Sequence, residues 1–482
     1  MNLKTDILII GAGPVGLMCA YLGALCGMRI IIIDKSAAPL DVGRADALNA
    51  RSLQYLEIID LFKSLYPLGK TCNTSSVYKD GKFISRQSSW WEELTGCFHK
   101  HFLMLGQSHI ENLLDKKLQA LDQGVKRLTE VKTITLDEKH CFSLLNTGEA
   151  IQSRYIIAAD GARSFVRNYF NIPFEITRPQ ITWAVIDGEI DTDFDKVPEI
   201  IVFQTTTSDV AWIPREGTID RFYVRMDCDN FSLEDAIDKI NRAITPHYLK
   251  FKQIIWFSKF SVKESVAEQF FIKEKIFLAG DACHIHSVNG GQGLNTGLAD
   301  AFNLIWKINM HLNFDFPSSI LTSYEQERKP IAKSVIKISG DLVRATKYAN
   351  GTNHAQTYVK LIQRYSGYIT GMGISYGNQT VKGSRLYDFE VHNLTTKLRI
   401  YSLLEYHYYT LLIFSDERIS IKLPNFIQSI QIKSFKNSDY YWANDAPYNK
   451  QAMLVRPDSF IAQSMPLEAI ADICKMLIRD KL

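Results

Sequence analysis

Gly11-Ala12-Gly13-Pro14-Val15-Gly16 follows the apolar run Asp6-Ile-Leu-Ile-Ile-Gly11, and Asp34 lies 18 residues beyond Gly16. Residues of these types at this spacing bind the pyrophosphate and ribose of a dinucleotide. The first glycine permits a tight turn, the second lets phosphate approach the backbone, and the third lets helix and strand pack closely. A helix starting there offers unpaired N–H groups and partial positive charge to the phosphates. Asp34 can accept hydrogen bonds from ribose hydroxyls, and Lys35 beside it is grouped with the cofactor-binding residues. The turn specifies a dinucleotide without saying which one.

Two further clusters narrow the choice. Tyr155-Ile-Ile-Ala-Ala-Asp160-Gly161-Ala-Arg163-Ser164 is an apolar strand that ends in Asp-Gly. Ala279-Gly280-Asp281-Ala282-Cys283-His284 precedes Gly290-Gly291-Gln292-Gly293-Leu294-Asn295. Asp281, just after a strand, can hold a ribitol hydroxyl. The helix opened by the glycines can turn its free amides towards the pyrimidine edge of a flavin, where negative charge gathers on reduction. Read singly, Asp160-Gly161 is a turn signal and Asp281 a helix cap. His284 and His286, two residues apart with no third ligand in view, suggest loop hydrogen bonding and no metal.

These residues need a particular scaffold. The near-continuous apolar strands at 6–11 and 29–34, with a helix between them to about residue 26, predict a buried parallel sheet of the doubly wound kind. From about 180 to 270 the pattern changes to short alternating segments, as in Trp183–Ile190, Glu199–Phe203 and Arg221–Asp227, which predicts an antiparallel sheet. The strand Ile276–Gly280 then leads into a helix in which Leu294, Leu298, Phe302, Ile305, Ile308 and Leu312 mark a packed face. A long helical region follows at about 318–350. After a stretch rich in Gly, Tyr and Asn, a separate α/β unit closes the chain, with strands expected at 409–414, 427–432 and 452–455.

Taken together, in this order and spacing, the three motifs resemble those of the class A flavoprotein monooxygenases over residues 5–345. Gly43-Arg44-Ala45-Asp46-Ala47-Leu48 and Gly280-Asp281-Ala282-Cys283-His284-Ile285-His286-Ser287 are most similar to the phenol 2-monooxygenase branch. The resemblance implies an α/β fold. A Rossmann-like FAD-binding domain of the p-hydroxybenzoate-hydroxylase type (1–75, 101–178 and 270–350) would carry an inserted antiparallel substrate-binding sheet (76–100 and 179–269). A helical or irregular connector (351–395) and a small thioredoxin-like domain (396–482) would follow. It also implies FAD as cofactor, with NADPH or NADH and dioxygen as co-substrates. Arg44 would contact the flavin phosphates or assist NADPH, and Gln107, in Leu105-Gly106-Gln107, would bind FAD.

The resemblance further implies three residues that meet the substrate: Asp46, Arg215 in Ile213-Pro214-Arg215-Glu216, and Tyr223 in Arg221-Phe222-Tyr223-Val224. A flavin hydroperoxide is attacked more readily by a phenolate than by a phenol, so the site must help to remove a proton. Tyr223 would hydrogen-bond the substrate oxygen, Asp46 assist proton transfer, and Arg215 stabilise developing negative charge. A hairpin loop at Thr218-Ile219-Asp220 would make Arg215 and Tyr223 cross-strand partners on one face, and a loop one residue longer would separate them.

The chain of 482 residues is long enough for two or three domains, and 55 basic against 52 acidic residues give no reason to expect nucleic acid or an anionic membrane as partner. Eight dispersed cysteines without a Cys-x-x-Cys pair fit a reducing, cytoplasmic setting and leave the C-terminal unit a packing or dimerisation role, with a homodimer one option. No early stretch reads as a signal peptide, and no run of 18 apolar residues predicts a membrane span. Ser287-Val288-Asn289-Gly290 lacks the proline usual before the flavin-facing glycines, which bears on coupling. Val210 stands where flavin halogenases carry the first Trp of Trp-x-Trp-x-Ile-Pro, which argues against halogenation. Three readings stay open: hydroxylation of a phenol, oxidation of a larger polycyclic or antibiotic-like compound with Trp90 and Trp91 shaping the pocket, and a non-catalytic FAD-binding protein.

Overall fold

A computed structural model describes residues 2–88, 91–176, 181–204, 209–262, 264–286, 291–347, 354–377, 382–393, 396–433, 440–442, 451–472 and 475. The first sheet is built from the isoleucine runs. Strand Asn2–Ile10 lies between Ala150–Ala158 and Ile30–Ile33 and pairs with both in parallel, Ile10 standing beside Ala158 and Ile33. Ile276–Leu278 continues the parallel set beyond Ala150–Ala158, and the hairpin Val131–Leu136/Cys141–Leu145 joins it antiparallel. Ile7, Leu8 and Ile9 are fully buried, as strands covered on both faces require. The carboxyl ends of these strands are Ile10, Ile33, Ala158 and Leu278, so Gly11, Asp34, Asp160 and Gly280-Asp281 all emerge at one edge. In open α/β sheets this edge is the ligand-binding edge.

The second sheet has seven strands in the order 249–262, 181–192, 220–226, 209–214, 200–204, 75–79 and 82–87. Its alternation separates two faces. Ala184, Ile186, Val210, Trp212, Phe222 and Val224 pack with Ala236 and Ile240 of helix Leu233–Ile244 in one apolar cluster. The other face presents Asp187, Arg221 and Tyr223 towards the first sheet's binding edge, where they meet the 44–46 segment. The hairpin loop between strands 209–214 and 220–226 lies two residues earlier than the sequence suggested, with consequences given below.

Helix Gln292–Phe314 is buried along most of its length because it is covered on several sides. Helix Pro14–Leu25 packs on one flank, and the C-terminal unit covers another, where Tyr406 Oη donates to Phe302 O at 2.8 Å and accepts from Trp306 N at 3.1 Å. The C-terminal sheet runs in the order 427–432, 409–414, 451–455, 461–466, with the first pair parallel and the others antiparallel. Its buried residues Leu411, Leu412 and Met453 share one core with the first sheet. Charges seal the same junction: Glu327 receives Lys307 at 2.9 Å and Arg456 at 2.8 Å, and Arg456 also pairs with Asp458 at 2.6 Å. The 351–395 stretch contains helix His354–Ile369, and its end is gripped by Asn49 Nδ2 and Gln292 Nε2, both donating to Ile369 O. Among the described residues no helix is long and apolar enough to cross a membrane.

Candidate active site

The binding edge is shaped by what a side chain would exclude. A Cβ on Gly16 would come within 1.9 Å of Gly11 O, and one on Gly11, held at φ +101°, within 2.4 Å of Ala159 O. Gly13 has open space beside it, with nothing within 4 Å of its notional Cβ. Helix Pro14–Leu25 starts at Gly13 with no side-chain cap, so its first amides are left for a ligand. Asp34 Oδ2 accepts from Ala12 N at 2.6 Å and Oδ1 from Ser36 N at 2.7 Å, tying the acid to the turn, while Lys35 is exposed next to it.

The other two motifs converge here with different degrees of freedom. Asp160 Oδ2 accepts from Val166 N at 3.1 Å, while its Oδ1 is buried without a partner; burial raises this carboxyl above the usual range. Gly161 follows at φ +78°. Asp281, exposed in the cleft, makes no hydrogen bond among the described residues. Desolvation by the surrounding protein raises its carboxyl against the opposing charges of His284 and Arg44. Gly291 (φ +60°) starts helix Gln292–Phe314 without a side-chain cap, so the backbone at Gly293 and Leu294 opens on free amides. This set of uncapped amides, an empty glycine and unengaged carboxylate oxygens suits the pyrophosphate, ribose and ribitol of FAD.

Two residues assigned to the cofactor are committed elsewhere. Asn295 Nδ2 donates to Ala47 O and Gly291 O, and its Oδ1 accepts from Asn49 N at 2.9 Å and Ser52 Oγ at 2.7 Å. Gln107 Oε1 accepts from Ala45 N, and its Nε2 donates to Glu111 Oε1 at 2.7 Å. Their side chains therefore hold the 40–52 segment in place. Within that segment Gly43 (φ +84°) and Arg44 (φ +64°) reverse the backbone, and Arg221 Nη1 donates to the Arg44 carbonyl. The Arg44 guanidinium is left exposed.

Sequence reasoning missed the buried supports behind the third motif. Asp300 Oδ2 accepts from Gly280 N at 3.1 Å and lies 2.7 Å from His284 Nε2, while Oδ1 receives Arg328 Nε at 2.7 Å. Burial opposes ionisation of Asp300, but His284 and Arg328 outweigh it and hold the carboxyl down to about 2. His286 stacks on His284 at 5.3 Å, and burial, then His284, brings its imidazole down to about 3. Ser287–Gly290, where the expected proline is missing, lie outside the described residues, as does Trp90. Trp91 is fully buried against Phe102, away from any role as an open pocket wall.

On the facing sheet, Trp256, Asp187, Arg221 and Ile213 form one cross-strand row, and Val185, Tyr223 and Ala211 form the next. Arg221 is completely buried. It donates to both oxygens of Asp187 at 2.5 and 2.6 Å and to Tyr223 Oη at 3.2 Å, and its Nη1 lies 3.4 Å from Asp46 Oδ2. Tyr223 Oη donates to the same Asp46 oxygen at 3.2 Å. Burial, then the charge of Asp46, pushes the Tyr223 hydroxyl well above its ordinary value, so it is protonated at neutral pH.

Asp46 and Tyr223 are thus brought together, but Arg215 is not their direct partner. Arg215 N donates to Ile219 O and Ile219 N to Glu216 O, which closes the hairpin at 216–218 with Gly217 at φ +60°. This loop, of the expected three residues but two positions earlier, sets Tyr223 opposite Ala211 instead of Arg215. Arg215 keeps to the same face four residues away, where it donates to both oxygens of Glu216 (2.9 and 2.6 Å) and to Asp187 at 3.1 Å. Gly106 makes room for it, since a Cβ there would meet Arg215 Nη2 at 2.3 Å. Burial works against ionisation of Glu216, but the hydrogen bonds and charge of Arg215 prevail and lower its pKa. The arginine in contact with Tyr223 and Asp46 is Arg221.

The FAD binding domain family matches the chain over residues 4–339, a span that contains the glycine cradle, both later motifs and the Asp46–Arg221–Tyr223 cluster. The chain belongs to the class A FAD-dependent aromatic hydroxylases. FAD is their cofactor. This hydroxylase is 29% identical over 419 residues to phenol 2-monooxygenase fsqG of Aspergillus fumigatus, covering 82% of the chain and 69% of the relative. It is 26% identical over 448 residues to 3-hydroxybenzoate 4-monooxygenase of Comamonas testosteroni, covering 83% and 70%. With rifampicin monooxygenase of Streptomyces venezuelae it shares 28% over 337 residues, 69% of each. The chain spans about two thirds of the length of these relatives. The fold of the hydroxylase matches the flavin-dependent monooxygenase PieE, seen with FAD and substrate (TM-score 0.81, 17% identity, 99% of both chains). It also matches the anhydrotetracycline hydroxylase OxyS of Streptomyces rimosus (TM-score 0.79, 22% identity, 99% of both chains).

Proposed function

We propose that this flavoprotein hydroxylates a phenolic substrate beside its hydroxyl group, using NADPH or NADH and dioxygen. FAD bound at the glycine edge supplies the redox and oxygen-transfer chemistry. The observation that carries the reading is the buried contact of Tyr223 with both Asp46 and Arg221 at the sheet face opposite that edge.

The roles follow from hydrogen-bond valence. Tyr223 Oη gives its proton to Asp46 and receives one hydrogen bond from Arg221, which leaves a lone pair for the substrate hydroxyl. As the ring is attacked, the phenolic proton moves towards Tyr223 Oη and the tyrosine proton towards Asp46 Oδ2. Arg221 stabilises negative charge on the oxygens between them, and Asp187 holds its guanidinium in the plane needed. Arg215 with Glu216 is a second support, fixing the hairpin to Gly106. On the cofactor side Gly11, Gly13, Gly16, Asp34, Lys35, Arg44, Asp160, Gly161, Asp281, Gly291, Gly293 and Leu294 would hold FAD, with Gln107 and Asn295 acting through the backbone they anchor.

The substrate sheet is assigned to 76–100 and 179–269, a division supported by the pairing of strand 75–79 with strand 200–204. The order and directions of the four C-terminal strands support a thioredoxin-like unit over 396–482. The phenol 2-monooxygenase relative supports a simple phenol, and the rifampicin and anhydrotetracycline enzymes support a larger ring system. The test is NADPH oxidation by the purified yellow protein against simple and polycyclic phenols under labelled dioxygen. The expected result is that at least one phenol accelerates oxidation and leaves with one labelled oxygen. Tightly held flavin with no phenol-stimulated oxidation would leave only a binding role.

A further inference from the structure

The turn Arg456-Pro457-Asp458-Ser459-Phe460 reaches out of the C-terminal unit and closes on Arg51, which is buried in the first turn of helix Ala50–Ile58. Arg51 Nη2 donates to Asp458 O at 2.9 Å and to Ser459 Oγ at 3.0 Å, across 407 and 408 positions of chain. Its Nη1 donates to Gln54 Oε1 and Tyr401 Oη, each at 2.9 Å, and the guanidinium lies over the rings of Tyr55 (4.6 Å) and Phe460 (4.8 Å). The turn is itself held on all sides. Asp458 accepts from Arg456 at 2.6 and 2.9 Å and from Asn303 Nδ2 at 3.2 Å, and the Ser459 hydroxyl donates to Asp458 O at 2.7 Å. Ser459 is buried at φ +59°, a conformation that a residue with a side chain keeps only where its surroundings fix it. From the connector, Thr370 O accepts from Arg51 N at 3.1 Å, and a Cβ on Gly371 would meet Arg51 Cβ at 2.6 Å.

We infer that the Arg456–Phe460 turn is a positioning element of the active site, acting through Arg51 on the segment that presents Asp46 to Tyr223. The inference rests on the reading that Asp46 takes the phenolic proton, and it names what holds that acid in place. Asp46 lies three residues before Asn49, the cap of helix Ala50–Ile58, and Asn49 N and Ser52 Oγ both donate to Asn295 of the flavin-side helix. Pairing of Ala47 and Leu48 with Met104 and Leu103 fixes the segment on one side, and the helix turn fixes its other end. The planar guanidinium joins that turn to the C-terminal unit, because one Nη serves Gln54 of the helix while the other serves Asp458 and Ser459. A shift of about 1 Å at this joint, carried back to Asp46, is enough to break its 3.2 Å contact with Tyr223. The turn lies beyond residues 4–339, the span matched by the FAD binding domain family, so this contribution to the site is not contained in that match.

The experiment compares FAD-loaded Arg51→Lys, Ser459→Ala and Ile432→Val with the unmodified protein, below the melting temperature of each. Product and peroxide are counted per NADPH with the phenol that most accelerates NADPH oxidation. Lysine keeps the charge of Arg51 but loses one arm of the fork, and Ser459→Ala removes one acceptor while leaving Arg51 in place. Ile432→Val loosens the C-terminal unit at the buried edge strand 427–432, away from the turn. Arg51→Lys is expected to keep its FAD and lose ~5-fold in product per NADPH, and Ser459→Ala ~2-fold, as for members of one coupled network, with peroxide rising to match. Ile432→Val is expected to melt lower and to keep the unmodified ratio. Where Arg51→Lys does not fold, Ser459→Ala decides alone. An unmodified ratio in either variant of the joint overturns the inference and leaves a purely structural contact. An equal fall in Ile432→Val also overturns it, because any loosening of the C-terminal unit would then do the same. If the unmodified protein hydroxylates no phenol, the phenol reading itself falls and takes this inference with it.

Discussion

Tyr223 Oη donates to Asp46 Oδ2 across 3.2 Å although the two residues stand 177 positions apart in the chain. One comes from the middle of a seven-stranded sheet and the other from the turn after Gly43, so the contact exists only when the sheet is docked on the FAD-binding unit. Arg221 bridges the same pair, which makes the join between the two units also the place where substrate activation is proposed.

Arg221 and Arg215 should respond differently to replacement by lysine. Lysine keeps the charge but loses the planar fork that grips Asp187. Arg221→Lys is expected to lower the rate of product formation by ~10²-fold, the scale seen when one donor to a developing oxyanion is removed. Breaking its buried pairing should also cost ~3–5 kcal/mol at most. Arg215→Lys should weaken thermal stability while costing product formation ~10-fold or less. Steady-state turnover and melting curves on both variants check this. An equal loss of turnover in the two would return Arg215 to the role the sequence suggested.

The glycine cradle gives a contrast within one turn. Gly13→Ala places a methyl group in open space, so the fold should survive while the approach of pyrophosphate is blocked. Gly16→Ala drives a methyl into Gly11 O at 1.9 Å and should destabilise the protein itself. Flavin per protein from the visible absorbance, with the melting temperature of the flavin-free form, separates the two effects. Stoichiometric flavin on Gly13→Ala would mean that the pyrophosphate lies elsewhere.

Acid sensitivity should include a contribution from His286. Burial, then the neighbouring His284, lowers its pKa from the ordinary 6.5 to about 3, so between these values the unfolded chain binds a proton that the folded chain refuses. Stability from this group is complete above pH 6.5 and is lost as pH falls towards 3, at up to ~1.4 kcal/mol per pH unit. His286→Asn is expected to flatten the pH dependence of denaturant unfolding in that window. An unchanged slope would show that His286 titrates normally.

Much of the cofactor site was legible because it is local. A strand, a glycine turn and a helix start are consecutive in sequence, and four such carboxyl ends come together by parallel pairing alone. The substrate side was less legible because it depends on register. Arg215 and Tyr223 were read as partners across a loop at 218–220, but Gly217 accepts a positive φ and closes the hairpin at 216–218. Arg221 and Asp187 passed unnoticed as ordinary polar residues in an alternating strand. A signal was present: Arg221 stands two residues before Tyr223 and so shares its face, where a charged side chain requires a partner. Asp300 and Arg328 left no such trace, since buried pairs between helices carry no motif.

The central claim is that Tyr223 activates the phenol, and the most direct measurement is the partition of reducing equivalents in Tyr223→Phe. NADPH consumed, hydroxylated product and hydrogen peroxide are counted in the same reaction with the best phenol. The account predicts that the variant keeps its FAD and still oxidises NADPH, while product per NADPH falls at least ~10-fold, a fraction of the ~10²–10⁴-fold that a proton-transfer partner contributes, and peroxide rises to match. A ratio of product to NADPH equal to that of the unmodified protein would contradict it.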